Sequence, residues 1–115
     1  MADDPFVVKE TPGFSVMYTL GLDDDPESVE DVDAVVTAPD GSQRTASLMT
    51  HRRLGEVMRR RMDTGESAGG LYIRVPDLVI MREGGLEAAT RALVDLFDTY
   101  GLDSDILPHC PPDDD

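Results

Sequence analysis

The sequence predicts an α+β fold, in which an antiparallel sheet of about five to six strands carries two amphipathic helices on one face. Three observations support this prediction. Residues 14–22 alternate between apolar and other side chains, as a half-buried strand does. Residues 51–64 and 86–100 instead repeat their apolar side chains at helical spacing. Residues 71–81 form the densest apolar run in the chain. The predicted order of elements is β-β-β-β-α-β-β-α.

The first part of the chain predicts four strands. Residues 5–10 contain three consecutive apolar residues and predict a short edge strand. The alternation in 14–22 places one set of large side chains on a single face of the second strand: Phe14, Val16, Tyr18, Leu20 and Leu22. Residues 32–49 predict a hairpin, because the Pro-Asp-Gly-Ser sequence at 39–42 suits a tight turn.

Both helices have recognisable ends. Thr50 is the predicted N-cap of a helix that begins at His51 and stops at Gly65. Its apolar stripe consists of Leu54, Val57, Met58 and Met62. The second helix covers residues 86–100 and stops at Gly101.

The apolar run between the helices predicts a second hairpin, at the centre of the sheet. Leu71, Ile73 and Val75 alternate with Tyr72 and Arg74, as in a strand. A Pro-Asp pair at 76–77 then interrupts the run, and residues 78–81 predict the returning strand.

The chain length and composition predict one domain and a tail. The 115 residues suffice for a single hydrophobic core, which we assign to residues 1–102. Residues 103–115 are rich in aspartate and proline and predict a mobile acidic tail. The lone cysteine excludes an internal disulfide and fits a reducing compartment. No signal-peptide pattern and no run of ~18 apolar residues is present, so we expect a cytoplasmic protein without membrane contact.

The charge is large, negative and unevenly distributed. The net charge is −14, which argues against sequence-independent binding of nucleic acid. Residues 1–40 carry eleven acids against Lys9, a charge of −10. Residues 41–61 carry six arginines against Glu56, a charge of +5, and residues 62–115 carry twelve acids against three arginines, a charge of −9. Salt adaptation of the whole surface is an alternative explanation for this acidity.

This acidity leads to the functional hypothesis of a non-enzymatic protein-interaction module. An acidic surface steers a basic partner toward it, as an inhibitor or immunity-type protein would require. The predicted partner-binding residues are Asp23, Asp24, Asp25, Glu27, Glu30 and Asp31. The partner is expected to be another protein, and the sequence leaves a homodimer open. Arg52, Arg59 and Arg60 are candidate anion contacts, although arginines near a helix C-terminus also stabilise the helix dipole.

The motifs predict no enzyme, metal or cofactor. Residues 65–69 match G-x-S-x-G, but a helix precedes and a strand follows them, the reverse of the hydrolase arrangement. His51, His109 and Cys110 lack the spacing of a zinc site. Two other functions stay open. One is a carrier or precursor protein modified at Cys110 in an exposed tail, and the other is a small ligand-binding domain with a pocket between sheet and helices.

Overall fold

The computed structural model describes residues 5–72, 76–101 and 107–108. These residues form a five-stranded sheet in the order β1-β2-β3-β4-β5. The strands are β1 (Phe6–Glu10), β2 (Ser15–Thr19), β3 (Asp31–Thr37), β4 (Gln43–Thr50) and β5 (Leu78–Met81). The helices are α1 (His51–Thr64), α2 (Glu66–Gly70) and α3 (Leu86–Tyr100). The predicted α+β class is confirmed.

The sheet is mixed, whereas we predicted an antiparallel one. Strands β1 to β4 form an antiparallel meander, but β5 pairs in parallel with β4. The chain between β4 and β5 includes α1, and a crossover of this kind is what joins parallel strands. Among the described residues β5 is an edge strand, so its predicted place at the centre of the sheet is wrong. Of the predicted partner strand, Leu71 and Tyr72 are exposed outside any strand, and residues 73–75 lie outside the described part.

One face of the sheet, here called the inner face, carries the core. Four of the five alternating residues predicted for this strand are buried there, and Val16 and Tyr18 fully so. The fifth, Leu22, is exposed because β2 ends at Thr19. Helix α3 covers this face with Leu86, Ala89, Leu93 and Phe97. The ring of Phe97 meets that of Phe14 edge-on at 5.3 Å. Helix α1, by contrast, has no buried residue, so α3 supplies the helical layer of the core.

A hydrogen-bonded pair fixes α3 on the inner face. The hydroxyl of Tyr18 lies 2.8 Å from that of Thr90, which in turn donates to the carbonyl of Leu86 at 2.7 Å. Burial raises the pKa of Tyr18, although the bond to Thr90 opposes the shift. Because both hydroxyls are hydrogen-bonded, their burial costs little free energy. The bond between them fixes the position of α3 on β2.

The predicted helix ends are present. The Thr50 hydroxyl accepts from the Arg53 amide at 3.1 Å and caps α1. Gly65 ends that helix in the left-handed conformation, with φ of 83°. Gly101 ends α3, and its N–H bonds to the Phe97 carbonyl at 2.8 Å. Within the described part of the chain, none of the helices has the length and apolar character needed to span a membrane.

Part of the predicted tail lies against the sheet. Leu107 is 3% exposed and belongs to the core cluster. The buried guanidinium of Arg44 donates to the Leu107 carbonyl at 3.0 Å, and the Thr45 amide donates to the Pro108 carbonyl at 3.1 Å. The division into a domain and a tail stays a prediction, because most of residues 103–115 lie outside the described part.

Candidate protein-interaction surface

Five of the six predicted partner-binding residues meet at one surface depression of about 420 Å³. We call it the acidic depression. It is lined by the carboxylates of Asp23, Asp24, Asp25, Glu30 and Asp31, together with Ser28, Val29 and Arg53. Five carboxylates and one guanidinium give the lining a formal charge of −4. Glu27 belongs to the same loop but does not line the depression.

Local hydrogen bonds shape the loop that carries the first three aspartates. A carboxylate oxygen of Asp24 accepts from the Gly21 amide at 2.7 Å, and one of Asp25 accepts from the Glu27 amide at 2.9 Å. The Asp25 carbonyl also accepts from the Val29 amide at 2.8 Å. Asparagine and aspartate commonly stabilise turns in this way. The loop therefore presents its carboxylates from a defined backbone.

Backbone hydrogen bonds join this loop to the turn between β5 and α3. The Gly85 amide donates to the Val29 carbonyl, and the Leu86 amide donates to the Pro26 carbonyl, both at 2.8 Å. A side chain at Gly84 would lie 2.6 Å from the Ser28 carbonyl oxygen, so only glycine allows this approach. No prediction from the sequence included this contact. The two glycines before a helix were the available signal for a close backbone contact.

Ion pairs connect the depression to α1. Arg52 binds Glu30 through both Nε, at 3.0 Å, and a terminal nitrogen, and it also reaches Glu56 at 3.1 Å. Arg53 lies 3.6 Å from Asp31 and 3.3 Å from Glu56. Two acids of the depression are therefore partly neutralised, while Asp23, Asp24 and Asp25 form no ion pair within the described residues.

The hydrogen bond from Arg52 lowers the pKa of Glu30, and the bond from the Thr50 hydroxyl lowers it further. The same contact with Glu30 raises the pKa of Arg52. Both groups are consequently held in their charged forms.

This shift predicts how stability depends on pH at Glu30. Because the folded pKa is depressed below 4.5, ionised Glu30 stabilises the fold at neutral pH. That stabilisation is lost as the pH falls through the folded pKa. We expect Glu30→Gln to lower the urea midpoint at pH ~7, and we expect this difference to shrink at pH ~2.5, because Glu30 becomes protonated as the pH falls. An equal difference at both pH values would show that the ion pair with Arg52 is not the cause. Glu87→Gln, on the exposed first turn of α3, is the matched control.

The predicted anion contacts are not brought together. Arg52 belongs to the ion-pair cluster, whereas Arg59 and Arg60 are exposed further along α1 and do not line the depression. Cys110 and His109 lie outside the described residues. In residues 5–72, 76–101 and 107–108, no group of three or more His, Cys, Asp or Glu side chains is arranged to hold a metal ion.

A second, open groove of about 860 Å³ is lined by α3 together with residues at the ends of β1 and β5. Its charged lining has both signs and includes Lys9, Arg82 and Arg91 alongside Glu83, Glu87 and Asp95. The two surfaces differ in charge, since the acidic depression has Arg53 as its single cation.

Comparison with known proteins gives no family assignment: family models, curated proteins and solved structures all yielded no match. The function is therefore inferred from the residues and the geometry of this chain.

Proposed function

We propose that this chain is a non-enzymatic, cytoplasmic protein-interaction module that binds a basic partner protein, in the manner of an inhibitor or immunity-type protein. The observation that carries the proposal is the acidic depression, where five carboxylates from one loop and from the start of β3 surround a single arginine. A concave surface lined by charges of one sign focuses the electrostatic potential and accelerates association with an oppositely charged partner.

The hydrogen bonds of the loop add to this support. The partner-facing carboxylates of Asp24 and Asp25 accept backbone N–H groups of their own loop, so their positions are set before binding. A surface that is ordered in advance loses less conformational entropy when a partner arrives. The loop is therefore better suited to recognition than an unstructured acidic run, which would act only as a solubilising segment.

A small ligand-binding domain is the second candidate, and the groove along α3 favours it. Its volume of about 860 Å³ is within the range of small-molecule sites, and cations and carboxylates converge in it. The groove is open rather than enclosed, however, and buries little of a ligand. We rank this function second for that reason.

The proposed function predicts that charge reversal in the loop weakens partner binding. The double variant Asp23→Lys/Asp24→Lys is expected to lower the association rate by about tenfold or more at ~50 mM salt, and by less at ~500 mM salt, where screening is stronger. The partner is first captured from native lysate, identified by mass spectrometry and purified, and the rate is then measured by surface plasmon resonance.

The control variant is Asp95→Lys/Asp98→Lys on the exposed side of α3, which changes the net charge by the same amount. It should retain most of the wild-type rate. An equal loss in both variants would assign the effect to overall charge instead of the acidic depression. The absence of any partner in native lysate would contradict the proposed function.

A further inference from the structure

The second face of the sheet, here called the outer face, lies opposite the face that α3 covers. None of the residues that β1 to β5 direct to this face is buried. Three of its apolar side chains are about half exposed: Phe6 at 48%, Val8 at 56% and Ile80 at 54%. Its apolar residues are Phe6, Val8, Met17, Val35, Met49, Leu78 and Ile80.

The strand register joins these side chains into rows. Val8 pairs with Met17, and Met17 pairs with Val35, so one apolar row crosses three strands. A second row joins Met49 of β4 to Ile80 of β5. Directly paired residues on one face of a sheet are in contact distance of each other. A polar row separates the two apolar rows, because Thr19 pairs with Asp33 and Asp33 pairs with Ser47. The outer face therefore carries two apolar strips with Asp33 between them.

The charges on this face have one sign. Its charged residues are Glu10, Asp31 and Asp33, and the described strands direct no lysine or arginine to it. Asp31 also lines the acidic depression, so the outer face and the depression form one continuous surface. A face on which apolar strips flank a carboxylate complements a partner that presents cations among its apolar side chains.

We infer that the outer face is the apolar contact surface for the basic partner, and that the acidic depression is its electrostatic border. This inference rests on the proposed function. The occupant it specifies is a protein that presents lysine or arginine among the apolar side chains of an exposed patch. A second copy of this chain fits less well, because the described strands of neither copy direct a cation to this face that could pair with Glu10 or Asp33 of the other.

The size of the face agrees with this division of roles. Five strands at about 4.8 Å spacing and some six residues each give a footprint of about 24 by 20 Å, or roughly 500 Å². A standard protein interface covers about 800 Å² on each partner, with an apolar centre and a polar rim. The outer face is therefore smaller than one side of a standard interface, and the adjoining depression supplies further, charged area.

The test begins with site-specific photo-crosslinking. A benzoylphenylalanine residue is placed at Met17 on the outer face and, in a separate chain, at Tyr100 near the end of α3. Each protein is irradiated in native lysate, and the attached protein is identified by mass spectrometry and then purified. We expect a single protein of positive net charge to be attached from position 17 and not from position 100.

Affinity measurements with that purified partner complete the test. Val8→Thr/Ile80→Thr keeps β-branched side chains but removes apolar contact area, and should raise Kd about tenfold or more. Tyr100→Thr is the matched control, since Tyr100 is exposed to a similar degree, 59%, and should change Kd by less than about twofold. Circular dichroism and the urea midpoint of each variant verify that folding is retained.

The remaining outcomes separate this inference from the proposed function. If loop charge reversal weakens binding but the outer-face variant does not, the inference is wrong and the proposed function stands. Attachment of a second copy from position 17, with a dimer in sedimentation equilibrium, would overturn the choice of occupant. Failure of both variants to affect binding, or no attached protein from either position, would count against the inference and the proposed function together.

Discussion

Replacing Gly85 with alanine is expected to lower the free energy of unfolding by about 2–4 kcal/mol, the sum of a backbone cost and a steric cost. Gly85 has φ of +104°, a conformation that residues with a Cβ rarely adopt. A Cβ at this position would also lie 2.6 Å from the carbonyl oxygen of Glu27, so the backbone of the acidic loop would have to shift. Urea unfolding at neutral pH measures the change.

The same substitution is expected to loosen the acidic loop. The Gly85 amide holds the Val29 carbonyl at 2.8 Å, and displacement of the turn lengthens that bond. Hydrogen exchange of the amides in residues 21–30 should become faster in Gly85→Ala than in the wild type. Partner association should slow as well, because the carboxylates of the loop lose their defined positions.

Gly55→Ala is the control for this prediction, with an effect of opposite sign. Gly55 lies within α1, and a Cβ there would meet no atom within 4 Å. Alanine should therefore raise the free energy of unfolding by about 0.5–1 kcal/mol through its higher helix propensity. If Gly85→Ala lowered the free energy of unfolding by less than about 0.5–1 kcal/mol, the turn between β5 and α3 would not be what stabilises the acidic loop.

Removing the Arg44 side chain is expected to have the second large effect. Arg44 is 4% exposed on β4, and its guanidinium donates to the Leu107 carbonyl at 3.0 Å. Arg44→Ala deletes a long buried stem and leaves a buried carbonyl without its donor. The expected loss is about 2–4 kcal/mol, from a cavity and an unsatisfied polar group.

Arg44→Met separates the packing of the stem from the hydrogen bond. Methionine retains most of the buried apolar volume, and it also relieves the cost of burying a charge. We expect global stability to stay within about 1 kcal/mol of the wild type, because these two effects oppose each other. Both variants lose the hydrogen bond to the Leu107 carbonyl. Limited proteolysis should therefore cleave the chain beyond residue 101 faster in each variant than in the wild type. Unchanged cleavage would show that the Arg44 bond does not retain this segment.

Sequence alone determined the elements whose signals are local. The alternation from Phe14 to Leu22 predicts a strand with a buried face, and four of the five residues of that face are buried, Leu22 being exposed beyond the strand end. The caps at Thr50 and Gly65 act within one turn of the helix that they bound, so sequence placed both ends of α1. The composition of the acidic loop is likewise a property of sequence, and it identified five residues that line the depression.

Only the tertiary structure decided the features that depend on distant residues. Strand β5 aligns with β4 across about thirty residues of chain, and its own four residues do not encode whether that pairing is parallel or antiparallel. Arg52 meets Glu30 at a separation of 22 residues, which is why a candidate anion contact became part of an internal ion pair. Gly85 stabilises the acidic loop, and Leu107 belongs to the core, because segments distant in sequence pack against them. Within the described residues no side chain of the outer face is buried, because α3 packs on the inner face and α1 buries no residue. No local sequence pattern specifies this arrangement.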